Sequence, residues 1–298
     1  MERTECAIIG RGPAGLSAAI YSARAGLSTL VLGSDPKVAG DYGIDNYFGF
    51  PETITGKELI ARGEAQARKF GASLAEERAL GIHPGDRETF VVRTDRREIT
   101  ACAVILATGV ERRRPAIRNL DDYEGRGVSY CVSCDGYFFR NRRIMVVGEG
   151  NYAANQAVEL LHYSPTVSIC TMGKPVAINP EFMDRIARAG IPFIDSPIVM
   201  LKGDGRLTHV SLATGEERET DGLFIAIGDA SSVDFARSLG IFTSGNFIQV
   251  DETQKTNVPG IFAAGDCTGG FLQISVAVGE GAVAARSAIE HVKKICRG

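Results

Sequence analysis

Two kinds of apolar pattern alternate along the chain. Short unbroken apolar runs, as at residues 5–10 and 144–147, suit strands buried on both faces of a parallel sheet. Glycine-rich turns follow both runs, and each turn leads into a stretch with apolar residues at helical spacing. The first unit predicts a strand over 5–10, a helix from Pro13 to Ala25 stopped by Gly26, and a strand over 27–32. The second predicts a strand from Ile144, a helix to about Tyr163 and a strand over 166–170. This pair is the only internal repeat.

Other elements fill the space between and after these units. Residues 41–51, rich in glycine and aromatics, read as a loop able to lie over a ligand. Thr55-Gly56-Lys57-Glu58 is a capping box that starts a helix running to about Phe70. Strands are expected over 90–94 and 98–106. Asn179-Pro180 places an N-cap and a proline at the first position of a further helix, which Gly190 ends. Short strands are expected over 191–195, 198–202, 207–213, 222–227 and 247–250. A buried strand ends at Asp266, and a long helix covers Gln273 to about Ile295.

The length of 298 residues suits two domains, and 44% hydrophobic content supplies their cores. A net charge of −3 points away from nucleic acid and anionic membranes. No apolar run approaches the roughly eighteen residues of a membrane-spanning helix. The charged start, Met1-Glu2-Arg3-Thr4-Glu5, is not that of a signal peptide. Seven cysteines, an odd count, fit a reducing, cytoplasmic setting. Cys6, Cys102, Cys170, Cys267 and Cys296 are scattered and read as buried reduced thiols.

The chemistry concentrates at Cys131-Val132-Ser133-Cys134-Asp135. Two cysteines at this spacing form a disulfide that is readily reduced, and the carboxylate beside them offers a proton donor. None of the four histidines lies near this pair in sequence, so a zinc site is not indicated and no metal is expected. Gly10-Arg11-Gly12-Pro13-Ala14-Gly15 sits between a strand and a helix, the setting in which such a turn holds a dinucleotide pyrophosphate. Gly148, Gly150 and Ala153 repeat the pattern in the second unit.

These motifs together resemble the low-molecular-weight thioredoxin reductases. The resemblance rests on the first glycine turn, Gly49-Phe50-Pro51, Leu106-Ala107-Thr108-Gly109, the segment Cys131–Gly136 and Gly260-Ile261-Phe262-Ala263-Ala264-Gly265-Asp266, in that order over nearly the whole chain. It implies a homodimeric α/β protein with two three-layer, Rossmann-like dinucleotide-binding domains. A discontinuous FAD domain would cover 1–113 and 241–298, and a domain carrying the cysteine pair would cover 114–240. By position, Gly10, Gly12, Pro13, Ala14 and Gly15 would hold the FAD pyrophosphate. Ser34, Asp35 and Asn46 would lie along the adenosine and ribityl portions, with Asp35 beyond the usual place for a ribose-binding acid. Ala107, Thr108 and Gly109 would let the chain pass close to the cofactor. Gly265 and Asp266 would meet its ribityl chain or pyrophosphate, and Gln273, Ile274 and Ser275 its flavin ring. Cys134 would face the flavin, Cys131 would exchange with thioredoxin, and Asp135 would protonate the departing thiolate.

The second unit departs from that family. Ile169-Cys170-Thr171-Met172-Gly173-Lys174-Pro175 lacks the arginines that grip a 2′-phosphate, and Lys174 is a poor substitute for them. Glu149 puts a carboxylate inside the turn, where a pyrophosphate would be repelled. Val38-Ala39-Gly40-Asp41, Asp229 and Leu272-Gln273-Ile274-Ser275 differ as well. These departures resemble the flavin thioredoxin reductases that do without pyridine nucleotides and take electrons from ferredoxin. Arg112-Arg113-Arg114 and Arg140-Asn141-Arg142-Arg143 would then offer a basic docking face to that acidic donor. The alternatives are an NADPH-dependent thioredoxin reductase, a dithiol oxidase using oxygen, and a flavin-binding sensor that is not an enzyme.

Overall fold

The first apolar run folds as the strand Glu2–Ile9, and its parallel neighbours are Thr29–Leu32 on one side and Glu98–Leu106 on the other. They belong to a seven-stranded sheet in a computed structural model that describes residues 2–41, 43–109, 114–130, 132–228, 230 and 232–297, with only the backbone of Ser133 and Cys134. The strand Glu98–Leu106 does two jobs. Its first half pairs antiparallel with Phe90–Thr94, and its second half pairs parallel with Ile261–Ala263. Three parallel strand ends are thereby brought side by side: those of Glu2–Ile9, Glu98–Leu106 and Ile261–Ala263.

The helix Pro13–Arg24 covers this sheet with a face of small residues, Ala14, Ala18 and Ala19, all buried. Small side chains let the C-terminal helix Ile274–Ile295 pack close against it. Ser17 Oγ donates to Val278 O at 2.7 Å, and a Cβ on Gly281 would stand 2.2 Å from Ala14 O. The helix Gly56–Lys69 starts as the capping box requires, with Glu58 N donating to Thr55 Oγ1 at 3.1 Å.

The second apolar run, Ile144–Val147, is the buried centre of an all-parallel five-stranded sheet. Its neighbours are Val167–Cys170 and Gly222–Ile225. A three-stranded antiparallel sheet over Ile198–Lys202, His209–Leu212 and Glu217–Glu219 lies in the same part of the chain. Pro180–Ala189 is capped by Asn179, which accepts from Phe182 N, and ends at Gly190 in the left-handed region.

The chain divides into two units, residues 1–111 with 231–298, and residues 112–230. The helix Ser232–Leu239, which the sequence did not suggest, lies with the first unit. It buries Val233, Phe235 and Ala236, and it packs on the strand Ala79–Pro84, also unforeseen. Among the described residues no helix is long and apolar enough to cross a membrane.

One expectation about the cysteines fails. Cys6, Cys170 and Cys267 are buried free thiols, but Cys102 and Cys296 are joined as a disulfide with a Cα–Cα separation of 6.4 Å. Sequence reading treats each cysteine by its own neighbours. The pairing is made by tertiary contact between residues 194 positions apart.

Candidate functional site

In the first unit the glycine turn begins where the strand Glu2–Ile9 ends. Gly10 N donates to Leu32 O at 2.7 Å, and Ala107 N donates to Ile9 O at 2.8 Å. Gly10 has φ +120°, and a Cβ there would meet Ala107 O at 2.1 Å, so only glycine fits. A Cβ on Gly265 would press on Ala14 at 2.8 Å. Gly10 thus packs on Ala107, and Gly265 on Ala14, just beyond the ends of the three strands. This is the carboxyl edge of a parallel sheet, where such folds bind ligands.

Several features of that edge suit a dinucleotide. The helix Pro13–Arg24 starts at Gly12 with no side-chain cap, no acid in its first turn and a proline at its start, leaving its first N–H groups for an anion. The helix Ile274–Ile295 likewise starts at Gln273 without a side-chain cap or an early acid. Thr108 Oγ1 is buried and has no partner, as expected where a cofactor completes the site. Asn46 Nδ2 donates to Gln273 Oε1 at 3.1 Å, so the 41–51 loop reaches the start of the C-terminal helix, where Ile274 and Ser275 follow. The residues present fit FAD.

Two residues at this edge escaped the sequence reading. Arg11 inside the turn donates to Gly33 O at 3.1 Å and to Glu64 Oε1 at 2.5 Å, and it lies 3.8 Å from Asp35. Gly33 and Asp35 are thus tied to the turn through an arginine, and the side chain of Asp35 is largely exposed. Glu280 accepts from Gly265 N at 2.7 Å and from Thr268 Oγ1 at 3.1 Å, fixing the short 3-10 turn that carries Asp266. A charged residue inside a glycine turn was a visible signal for Arg11. Glu280 gave none, because its role depends on a contact across the fold.

In the second unit Cys131 lies outside the described residues, and Cys134 belongs to the short helix Val132–Asp135. Asp135 is oriented by Ser129, whose hydroxyl donates to Asp135 Oδ2 at 2.6 Å. The free thiols among the described residues, Cys6, Cys170 and Cys267, are poor candidates for redox chemistry. Burial pushes the Cys6 and Cys267 thiols up to about 12, and it raises the Cys170 thiol as well.

The second glycine turn has a loop of the chain against it, with Ala177 bridging to Gly150. Gly148, Gly150 and Asn151 are buried, whereas Gly10, Arg11 and Gly12 are only half-buried. Ala177 N donates to Glu149 O at 2.8 Å, and Asn179 N donates to Asn151 Oδ1 at 2.8 Å. Lys174 Nζ sits 3.0 Å from Glu149 Oε1. The lysine read as a poor substitute for the phosphate-gripping arginines is paired with the carboxylate inside the turn.

The expected basic docking face is thinner than the sequence suggested. Arg112 and Arg113 lie outside the described residues. Arg114 is paired with Asp121 at 2.8 Å and Glu124 at 2.5 Å. Arg143 is paired with Asp221 at 2.9 Å and with Glu219. Of the second cluster, Arg140 and Arg142 remain exposed cations, with Arg140 over the Tyr137 ring.

Residues 4–281 match the family described as pyridine nucleotide-disulphide oxidoreductase. The chain is 35% identical to the thioredoxin reductase of Bacillus subtilis (strain 168), covering 97% of this chain and 94% of that one. It is 60% identical to the atypical thioredoxin reductase TRi from Desulfovibrio vulgaris Hildenborough, with a TM-score of 0.97 and 99% of each chain covered. A ferredoxin-flavin thioredoxin reductase from Clostridium acetobutylicum is 31% identical, with a TM-score of 0.73 and 99% of each chain covered.

Proposed function

Because this chain belongs to the pyridine nucleotide-disulphide oxidoreductase family, and is a flavoprotein disulfide reductase of the thioredoxin reductase type, we propose that it reduces thioredoxin with electrons that do not come from NADPH. The observation that carries this reading is the loop against the second turn. A nicotinamide dinucleotide needs free N–H groups at the start of the helix Asn151–Leu160 and room above Gly150. Here Ala177 bridges to Gly150 and the 177–179 segment runs against that start, and Glu149 adds a carboxylate where a pyrophosphate would lie. An acidic iron–sulfur protein of the ferredoxin class is the donor we assign, in line with the Clostridium acetobutylicum relative.

Gly10, Gly12, Pro13, Ala14, Gly15, Ala107, Thr108, Gly109, Gly265 and Asp266 would hold FAD, which when bound would supply the conversion of single electrons from the donor into a pair. Asn46 and Gln273, bonded to each other, and Ile274 and Ser275 at an uncapped helix start, would border its ring and favour negative charge there. The Cys131–Cys134 disulfide would take the electron pair, with Cys134 nearest the flavin, and open to two thiols, and Cys131 would then attack the thioredoxin disulfide as a thiolate. Asp135, held by Ser129, gives a proton to the thiolate that leaves. The enzyme acts as a cytoplasmic homodimer. The test is thioredoxin reduction under anaerobic conditions with photoreduced ferredoxin or with NADPH. Turnover with ferredoxin alone supports the proposal, and turnover with NADPH alone replaces it with a nucleotide-dependent enzyme.

A further inference from the structure

A second pair of cysteines stands in the first unit, and the reaction above makes no use of it. Cys102 lies in the strand Glu98–Leu106, and Cys296 caps the end of the helix Ile274–Ile295. Both are partly exposed, unlike the free thiols Cys6 and Cys267, which are wholly buried. The neighbourhood is built to bring the helix end to the strand. His291 stacks edge-on with Phe262 at 6.2 Å and keeps its Nε2 buried without a partner. Beyond the cysteine, Arg297 grips Glu5 at 2.5 and 2.7 Å and donates to Gly26 O at 2.8 Å.

We propose that Cys102 and Cys296 form a second, reversible disulfide that staples the C-terminal helix to its sheet, and that external dithiols of the thioredoxin class open it. The flavin is not its reductant, because the helix places Cys296 about 33 Å from Ile274, at 1.5 Å per residue over 22 residues. Opening proceeds by exchange. A thiolate of the external dithiol attacks one sulfur of the pair, and a mixed disulfide forms. Its second thiolate then displaces the remaining protein sulfur. Two electrons and two protons pass to Cys102 and Cys296, and the external dithiol leaves as a disulfide. Closing is the reverse, driven by a disulfide such as oxidised glutathione, which leaves as two thiols.

The staple matters because of what the same helix does at its other end. Its Gly281 and Val278 rest on the helix that opens the FAD phosphate turn. The proposal rests on the flavoprotein reading only for this consequence, and its chemistry stands without it. The Arg297 clamp keeps the helix end near the strand when the disulfide is open, so closing is fast and local.

The experiment uses the full-length FAD-loaded protein carrying Cys131→Ser and Cys134→Ser, so that the redox pair contributes nothing. It is equilibrated with dithiothreitol or with oxidised glutathione, alkylated, and mapped by mass spectrometry while its melting temperature is followed. The proposal expects Cys102 and Cys296 to be blocked together in oxidised glutathione and labelled together in dithiothreitol. It also expects reduction to lower the melting temperature by about 5 °C or more, and a further Cys102→Ser change to abolish that response. Independent labelling of the two cysteines, stable mixed disulfides with glutathione, or a melting temperature indifferent to dithiothreitol would overturn it. None of these readouts involves ferredoxin, NADPH or thioredoxin, so failure here is separate from failure of the proposed function.

Discussion

Two glycines in one helix make opposite predictions. Gly279 and Gly281 both lie in Ile274–Ile295. Helix propensity alone says that either change to alanine stabilises by up to about 1 kcal/mol. At Gly279 a new Cβ meets nothing within 4 Å, so this gain is expected in full. At Gly281 the Cβ would stand 2.2 Å from Ala14 O, 2.9 Å from Ala14 C and 3.1 Å from its Cα. These are backbone atoms at the start of a helix, and they cannot rotate away. A separation near 3.4 Å needs a shift of about 1 Å between two helices packed at native density, and overpacking of that kind costs about 1–3 kcal/mol. The clash outweighs the propensity gain, for a net loss of about 0–2 kcal/mol. Because Ala14 belongs to the turn we propose holds the FAD phosphates, the displacement is also expected to weaken FAD binding. The assays are melting temperature of the loaded protein and FAD affinity by fluorescence. Gly279→Ala should melt higher by about 2 °C and bind FAD unchanged. Gly281→Ala should melt no higher than the parent and bind FAD at least tenfold more weakly. If Gly281→Ala were stabilised like Gly279→Ala with full affinity, the packing argument at the turn would be wrong.

Asp135→Asn is expected to slow thioredoxin reduction by the dithionite-reduced enzyme about 10²-fold to 10⁴-fold, and Ser129→Ala about tenfold, the scale of one charge-assisted hydrogen bond; single-turnover kinetics separate the two. Arg143 holds the Asp221 carboxyl at about 2, well below its ordinary value. The stabilisation it brings is present above the ordinary carboxylate pKa and lost as pH falls towards 2. The deficit of Arg143→Ala in urea denaturation should therefore be largest near neutral pH and shrink below pH 4. In the Cys131→Ser, Cys134→Ser protein, adding Cys102→Ser to the oxidised form should cost at most about 5 kcal/mol, the chain-entropy value for cross-linking residues 194 positions apart.

The two strand–turn–helix units were legible because they depend on local signals. Buried parallel strands read as unbroken apolar runs, as at Ile144–Val147, and turns demand glycine where backbones meet, as at Gly10. Caps at Thr55 and Asn179 were legible for the same reason. What stayed hidden was tertiary. Ser232–Leu239 has only two turns, and its apolar positions signal a helix weakly until they find the strand Ala79–Pro84. Glu280 looks like any helix-surface acid until its bond to Gly265 N is seen. The loop against the second turn was half legible. Glu149 and Lys174 stood out in the sequence, but their pairing, and the contacts of Ala177 and Asn179, depend on the path of a loop. The staple between Cys102 and Cys296 had no local signal at all.

The most direct test of the account is the flavin absorbance of the purified protein without oxygen on adding NADPH, and separately NADH. With residues 177–179 against the second turn and Glu149 paired with Lys174, the flavin is expected to stay oxidised with both, yet bleach with dithionite and with reduced ferredoxin. Rapid bleaching by either nicotinamide would contradict the account, because it would mean that the second turn binds a dinucleotide.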